Sequence, residues 1–460
     1  MPQLPSTPDE NPSRSTAPSA PPHDAGEGKR GRVFVIGLLV VLGGTLAWTA
    51  IKGLFPSQAT PANRAELLAE HSKESAKRTA STTGMGNSSP ASPETSATAT
   101  AATPDGNAPI TVTRAPESAV ELAAALAEVE AFLRGKHSAN EIARMLEQFR
   151  ARLMHGQPGA ALQVMSDYLG SGRDLSTTLD FNVGKGGWLD SAPTLRVFML
   201  DTLGEVDPAA GAAYAKTILD QPPGSADEWA LSLRNLTQHD DAMAADPYLA
   251  NKTRELISNP AWLNNPSLGF LEAFDFVVFT KQTDLAPQMA SYLENTDYDQ
   301  GLRYASYVAL DRLVIANPAS VLPIMEANPH MLDTRPAVRA SEFARADVTD
   351  PVQLAAVENY LLRTDLSTFE ISQFMDGFPW HAQGVGNNLA TVSAMPNLQQ
   401  MAVQDAASLA AVDQWLADPR FASLQADLQK LRADLVRVIK SDQQGGLLPE
   451  SGAEATVTLK

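Results

Sequence analysis

Leu200-Asp-Thr-Leu-Gly-Glu-Val-Asp-Pro-Ala209 and, farther along, Leu310-Asp-Arg-Leu-Val-Ile-Ala-Asn-Pro-Ala319 decide how this chain folds. In each, an apolar helical pattern runs into an Asp or Asn followed at once by Pro. The short polar side chain is an N-cap acceptor for the first free N–H groups of a new helix, and Pro, lacking an N–H, suits the first helical position. Each stretch therefore reads as one helix ending and another beginning within a tight turn. The two agree at Leu, Asp, Leu, Asp/Asn, Pro and Ala, and each follows a Leu-Arg pair, Leu195-Arg196 and Leu302-Arg303.

The same punctuation recurs at Asp246-Pro247, Asn259-Pro260, Asn265-Pro266, Asn328-Pro329, Asp350-Pro351 and Asp418-Pro419, which makes eight expected helix starts. Ser138 with Glu141, and Ser367 with Glu370, have the spacing of a capping box. The first opens a stripe of Ile142, Met145, Leu146, Phe149 and Leu153 with helical period. Period-two patterning is nearly absent, with Leu179–Val183 the one strand candidate. Short helices joined by tight turns, with a hint of internal repetition, predict an all-α fold over residues 116–442: an α-solenoid of stacked helix pairs, a superhelix of the HEAT or TPR kind. The chain does not carry the consensus residues of those named repeats. Its last helix, Pro419–Lys440, aligns Phe421, Leu424, Leu428, Leu431, Leu435 and Val438, a stripe too short for a coiled coil and suited to closing the end of the stack.

Before this region the composition changes. Val33–Ile51 holds nineteen uncharged, mostly apolar residues, a helix of roughly 29 Å and so about one hydrocarbon core. Residues 33–55 are expected to form a single transmembrane helix. The leader of 32 residues and the length of the apolar run favour an uncleaved anchor over a signal peptide. Lys29, Arg30 and Arg32 precede the run and only Lys52 and Arg64 follow closely, which places the amino terminus in the cytoplasm and the bulk of the chain outside it. Gly43 and Ala47 form a small-xxx-small pair, the basis for a secondary expectation of homo-oligomers. Residues 1–32, the Ser/Thr/Ala/Pro-rich stretch 56–115 and the end 443–460 have too few large apolar residues to offset chain entropy and are expected to be disordered. The linker 56–115 would then be a tether of roughly 40–46 Å.

Cysteine is absent, which excludes disulfides and thiolate chemistry. Residues 1–115 carry ten Lys/Arg against nine Asp/Glu, whereas 116–460 carry 25 against 44. A surface of that sign repels phosphate backbones, so nucleic acid is not an expected partner.

Motifs with possible chemistry are few. His239-Asp240-Asp241 lacks a companion histidine and reads as a solvated turn. Asn295, Asp297 and Asp299 alternate like calcium ligands, but the loop's twelfth position is Ser306, so the bidentate carboxylate is missing. Val183-Gly-Lys-Gly-Gly-Trp188 lacks the order of a phosphate loop and reads as an irregular turn over Trp188. No metal or cofactor is expected. Phe378-Pro-Trp-His-Ala-Gln-Gly-Val-Gly-Asn-Asn-Leu389 is the segment that looks most like a functional loop, with His381, Asn387 and Asn388 as candidate site residues and Trp380 as a core plug in the structural reading. The favoured expectation is a non-enzymatic, membrane-anchored scaffold binding a protein partner of the cell envelope, in a bacterial inner membrane with the helical region in the periplasm. The alternative is an exported helical-toroid enzyme of the polysaccharide lyase kind, in which His381, Asn387, Asn388 and a tyrosine such as Tyr304 act on a uronic acid.

Overall fold

The computed structural model describes residues 115–238, 241–384, 386, 388–391 and 396–446. The expected tail 1–32, the span 33–55, nearly all of the linker 56–115, His239, Asp240 and Asn387 lie outside the described residues. Among the described residues no single helix is long and apolar enough to cross a membrane.

The fold is all-α, as the punctuation predicts. Helices α1 (Ala119–Leu133), α2 (Ala139–His155) and α3 (Pro158–Gly170) open the region, each beginning where a cap or a proline dictates. Ser138 and Glu141 form the expected box, and Ile142, Leu146, Phe149 and Leu153 are the buried face of α2. An irregular stretch follows, holding a two-stranded antiparallel ribbon of β1 (Asn182–Val183) and β2 (Leu189–Ser191). The strand candidate at 179–183 is thus reduced to its last two residues.

Next come α4 (Leu195–Val206), α5 (Pro208–Leu219), α6 (Ala226–Thr237) and α7 (Pro247–Ile257), each packed on the one before it in the chain. Three short helices, α8 (Pro260–Asn264), α9 (Leu268–Glu272) and α10 (Asp275–Phe279), lead into α11 (Ala286–Glu294), α12 (Gln300–Ala316) and α13 (Pro318–Ala327). The chain continues through α14 (Pro336–Phe343), α15 (Pro351–Leu361), α16 (Thr368–Gly377) and α17 (Leu398–Ala417). A 3-10 turn (Pro419–Leu424) and α18 (Gln425–Gln444) finish it. Elements near in sequence are near in space: α4 on α5, α5 on α6, α6 on α9, α12 on α13, α13 on α15, α14 on α16, α17 on α18.

The caps explain the brevity of the helices. Asp207, Asp246, Asn259 and Asp350 each accept a backbone N–H of the first turn that their proline begins. Asn317 precedes α13 without a side-chain cap, and Asp418 caps a 3-10 turn. Two expected starts fail. At Asn265-Pro266 the cap passes to Ser267, whose hydroxyl accepts from Phe270. At Asn328-Pro329 the chain makes a turn, with Asn328 instead donating its amide to Ile324 O. The last helix is also corrected: Phe421 departs from helical geometry, so α18 proper begins at Gln425 and runs past the expected boundary at 442. Its stripe is spent within the fold, since Phe421, Leu424, Leu428, Leu431 and Leu435 are buried and α18 packs on α16 and α17.

Two chains of touching aromatic rings run through the core. One passes Trp229, Trp262, Phe270, Phe274, Tyr292 and Tyr298; the other passes Phe343, Tyr360, Phe374, Phe378, Trp415 and Phe421. Each contact stabilises by about 0.5–1.5 kcal/mol beyond area burial, and together they couple successive helices without a disulfide.

Candidate functional site

The segment from Phe378 to Thr391 does not loop away from the fold. Its described residues are held against the fold by charged side chains of α9, α10, α12 and the stretch just after α14. Trp380 donates its main-chain N–H to Ala344 O at 2.8 Å. Arg345 donates to the carbonyl of Ala382, and Gly384 donates its N–H to Asp311 Oδ2 at 2.6 Å. Farther along, Arg312 Nη2 donates to Asn388 Oδ1 at 2.8 Å, and Asn388 N donates to Glu272 Oε2 at 2.9 Å. Asp275 closes the series, accepting the main-chain N–H of Ala390 at 2.7 Å and of Thr391 at 2.6 Å, and the Thr391 hydroxyl.

The irregular stretch before α4 is held in the same way. Asp201, fully buried, accepts from Arg150 at 2.6 Å, from Arg234 and from the main-chain N–H of Leu189 at 3.2 Å. Arg234 also donates to Gly187 O at 2.9 Å, and its guanidinium lies 4.3 Å from the centre of the Trp188 ring. Trp188 is therefore packed under its turn, as the sequence suggests, with a buried arginine as its partner. The two segments meet: Gly187, at φ +80°, lies so close to the carbonyl oxygen of Leu389 that a Cβ at this position would collide with it.

These pairs are electrostatically demanding. Burial pushes Asp275 up to about 6, overcoming the lowering effect of its hydrogen bonds from Thr391 and Ala390 and of the Arg312 charge. Glu342, buried beside Asp311 and accepting from Arg345 Nε at 3.0 Å, is pushed up to about 8, first by desolvation and then by the neighbouring carboxylate. Burial also raises the Tyr307 hydroxyl far above its ordinary value.

The candidate residues are placed accordingly. Asn388 serves as an acceptor for Arg312 and as a main-chain donor to Glu272. His381, mostly buried, sits with Nε2 3.4 Å from Asp405 Oδ1. The two are thus tied at different places along the segment. Tyr304 is half-exposed on α12, its ring 6.1 Å from that of Tyr307. Trp380 is partly buried and packs against the core cluster. Asn295 and Asp299 serve as turn and cap acceptors, for Asp297 N at 2.9 Å and Gly301 N at 2.6 Å. Among the described residues no group of His, Asp and Glu is arranged to hold a metal ion.

Beside the segment from Phe378 to Thr391 lies a cleft of about 640 Å³, walled by the ends of α12 and α14, the start of α17 and residues 379–383. Its ionisable side chains are Arg345, Asp347 and His381, and each is bonded within the chain: Arg345 to Asp311 and Glu342, Asp347 to Thr349, His381 beside Asp405. The rest of the lining includes the Trp380 indole, aliphatic carbon of Ile315 and Val403, and the carboxamides of Gln383 and Gln404. Sequence reasoning missed this cleft because its walls come from four separated stretches. The cluster of Gln399, Gln400 and Gln404 was its one visible signal.

No family model matches the chain, and no curated protein or solved structure is significantly similar to it.

Proposed function

We propose that this protein is a single-pass, membrane-anchored helical-repeat scaffold that binds a protein partner in the cell envelope. In this reading residues 33–55 span the inner membrane, residues 1–32 lie in the cytoplasm, residues 56–115 are a flexible tether, and residues 116–442 form an α-solenoid in the periplasm. The observation that carries it is the chemistry of the cleft. Its one arginine is paired internally with Asp311 and Glu342, His381 sits beside Asp405, and most of the remaining lining is neutral amide and apolar side chain. Proton transfer needs a titratable group within reach of a substrate, whereas recognition needs shape and satisfied hydrogen bonds. The packing of each helix chiefly on its sequence neighbours supports the repeat architecture.

The test is topological. A reporter enzyme that works only outside the cytoplasm, fused after Lys460, is expected to be active, and replacing Lys29, Arg30 and Arg32 with Gln is expected to weaken that activity. Activity only of a cytoplasmic reporter at the same position would overturn the orientation.

A further inference from the structure

Hydrogen bonding along residues 380–384 alternates with the period of an extended strand. Trp380 donates its N–H to Ala344 O, the carbonyl of Ala382 accepts from Arg345, and Gly384 donates its N–H to Asp311. The residues between them, His381 and Gln383, bond their main-chain N–H and C=O to none of the described residues. In extended chain the main-chain groups of alternate residues point to opposite sides. One side of this segment is therefore fixed to α12 and to the end of α14, and the other bonds none of the described residues.

That unpaired side borders the cleft. His381 and Gln383 line it, and across from them the first turns of α17 present Gln400, Val403 and Gln404. The carboxamides of Gln383 and Gln404 bond none of the described residues either, and Val403 is 51% exposed at the lip. Unpaired main-chain groups on the wall of a cleft can pair with an extended ligand as a strand edge does, main-chain pairing supplying affinity and neighbouring side chains selecting the ligand. Carboxamides carry both a donor and an acceptor, which matches a peptide backbone. An acidic ligand side chain would find no free cation here, because Arg345 is paired with Asp311 and Glu342, whereas the Asp347 carboxylate bonds to Thr349 alone among the described residues.

We propose that this cleft is a peptide groove: an extended segment of the protein partner without acidic side chains pairs its main chain with His381 and Gln383, while Gln383, Gln404, Trp380 and Val403 contact its side chains. This inference rests on the scaffold reading and names the chemistry of the partner.

Photo-crosslinking of the full chain in cells tests it. The benzophenone amino acid p-benzoylphenylalanine is placed at position 403, in the cleft, and in a second strain at position 369 on α16, where Phe369 is 55% exposed and outside the cleft. The expected result is a protein adduct from position 403 that maps to one short stretch of the partner without acidic residues. Gln383→Leu and Gln404→Leu should each lower its yield by about fivefold, the loss of one net hydrogen bond, with an unchanged melting curve. A glycan or lipid adduct at 403, or no adduct there while a partner co-purifies with the chain, would overturn the groove and leave the scaffold standing. If no protein co-purifies and neither position gives a protein adduct, the scaffold reading fails and the groove with it.

Discussion

Asp311 does in one half of the chain what Asp201 does in the other. Both occupy the second position of the repeated ten-residue stretch, and both are fully buried. Each pairs with an arginine 33 or 34 residues later, and each accepts a main-chain N–H from an irregular segment that the same arginine holds by a carbonyl. A third pair, Asp275 with Arg312, separated by 37 residues, holds the far end of the second segment. The repeated motif thus supplies both a helix junction and a clamp on extended chain.

Breaking one clamp should be severe. Arg234→Ala leaves Asp201 buried with a vacancy on one side, and removal of one partner of a buried pair typically costs about 3–5 kcal/mol. Arg437→Ala, whose partner Asp434 lies on the surface, should change stability by less than about 1 kcal/mol. Urea denaturation of the two variants gives the comparison.

The meeting of the two segments is equally testable. Gly187→Ala meets both a positive φ and the Leu389 carbonyl, so it should destabilise by about 1–3 kcal/mol. Hydrogen exchange should quicken at Ala390 and Thr391, whose N–H groups bond to Asp275.

Much of this was legible in the sequence, and the limits are physical. Helix starts at Asp207, Asp246, Asn259 and Asp350 could be read because capping is local: donor and acceptor lie within three residues. Glu370 shows where locality fails. It occupies the third position of an apparent capping box, yet its carboxylate turns away to take two bonds from Arg339, at 2.7 and 2.8 Å, and one from the Tyr360 hydroxyl at 3.0 Å. Ser367 still caps Glu370 N, so half of the expected box remains. The clamps were invisible because their partners are more than thirty residues apart and ion pairs impose no period. Phe378–Leu389 was recognisable as an unusual loop, but its composition does not distinguish residues that hold a ligand from residues that are themselves held.

Trp380 and Asn388 separate those roles. Asn388→Ala removes one of several acceptors of the buried Arg312 guanidinium and should lower stability by about 1 kcal/mol, whereas a residue reserved for a ligand would leave the melting curve unchanged. Trp380→Ala should cost no more than about 3 kcal/mol, because the ring is only partly buried against the core.

Stability should respond to pH through Glu342. Its folded-state value lies near 8 against an ordinary 4.5, so between these limits the folded chain holds a proton that the unfolded chain has released. The stabilisation is complete below the ordinary value and is lost as pH rises through the folded one. Asp275 acts in the same sense but is finished near 6. Denaturation midpoints of the native chain should therefore fall between pH 6.5 and 8, and Glu342→Gln, which cannot ionise, should flatten that fall. An equal slope in the variant would assign the titration elsewhere.

The scaffold reading is tested most directly by isolating the full chain from solubilised membranes beside a form lacking residues 116–442. A partner protein should accompany the full chain in near-stoichiometric amount and be absent from the truncated form. A full chain that remains in the membrane fraction but elutes alone, with no protein lost on truncation, would contradict it.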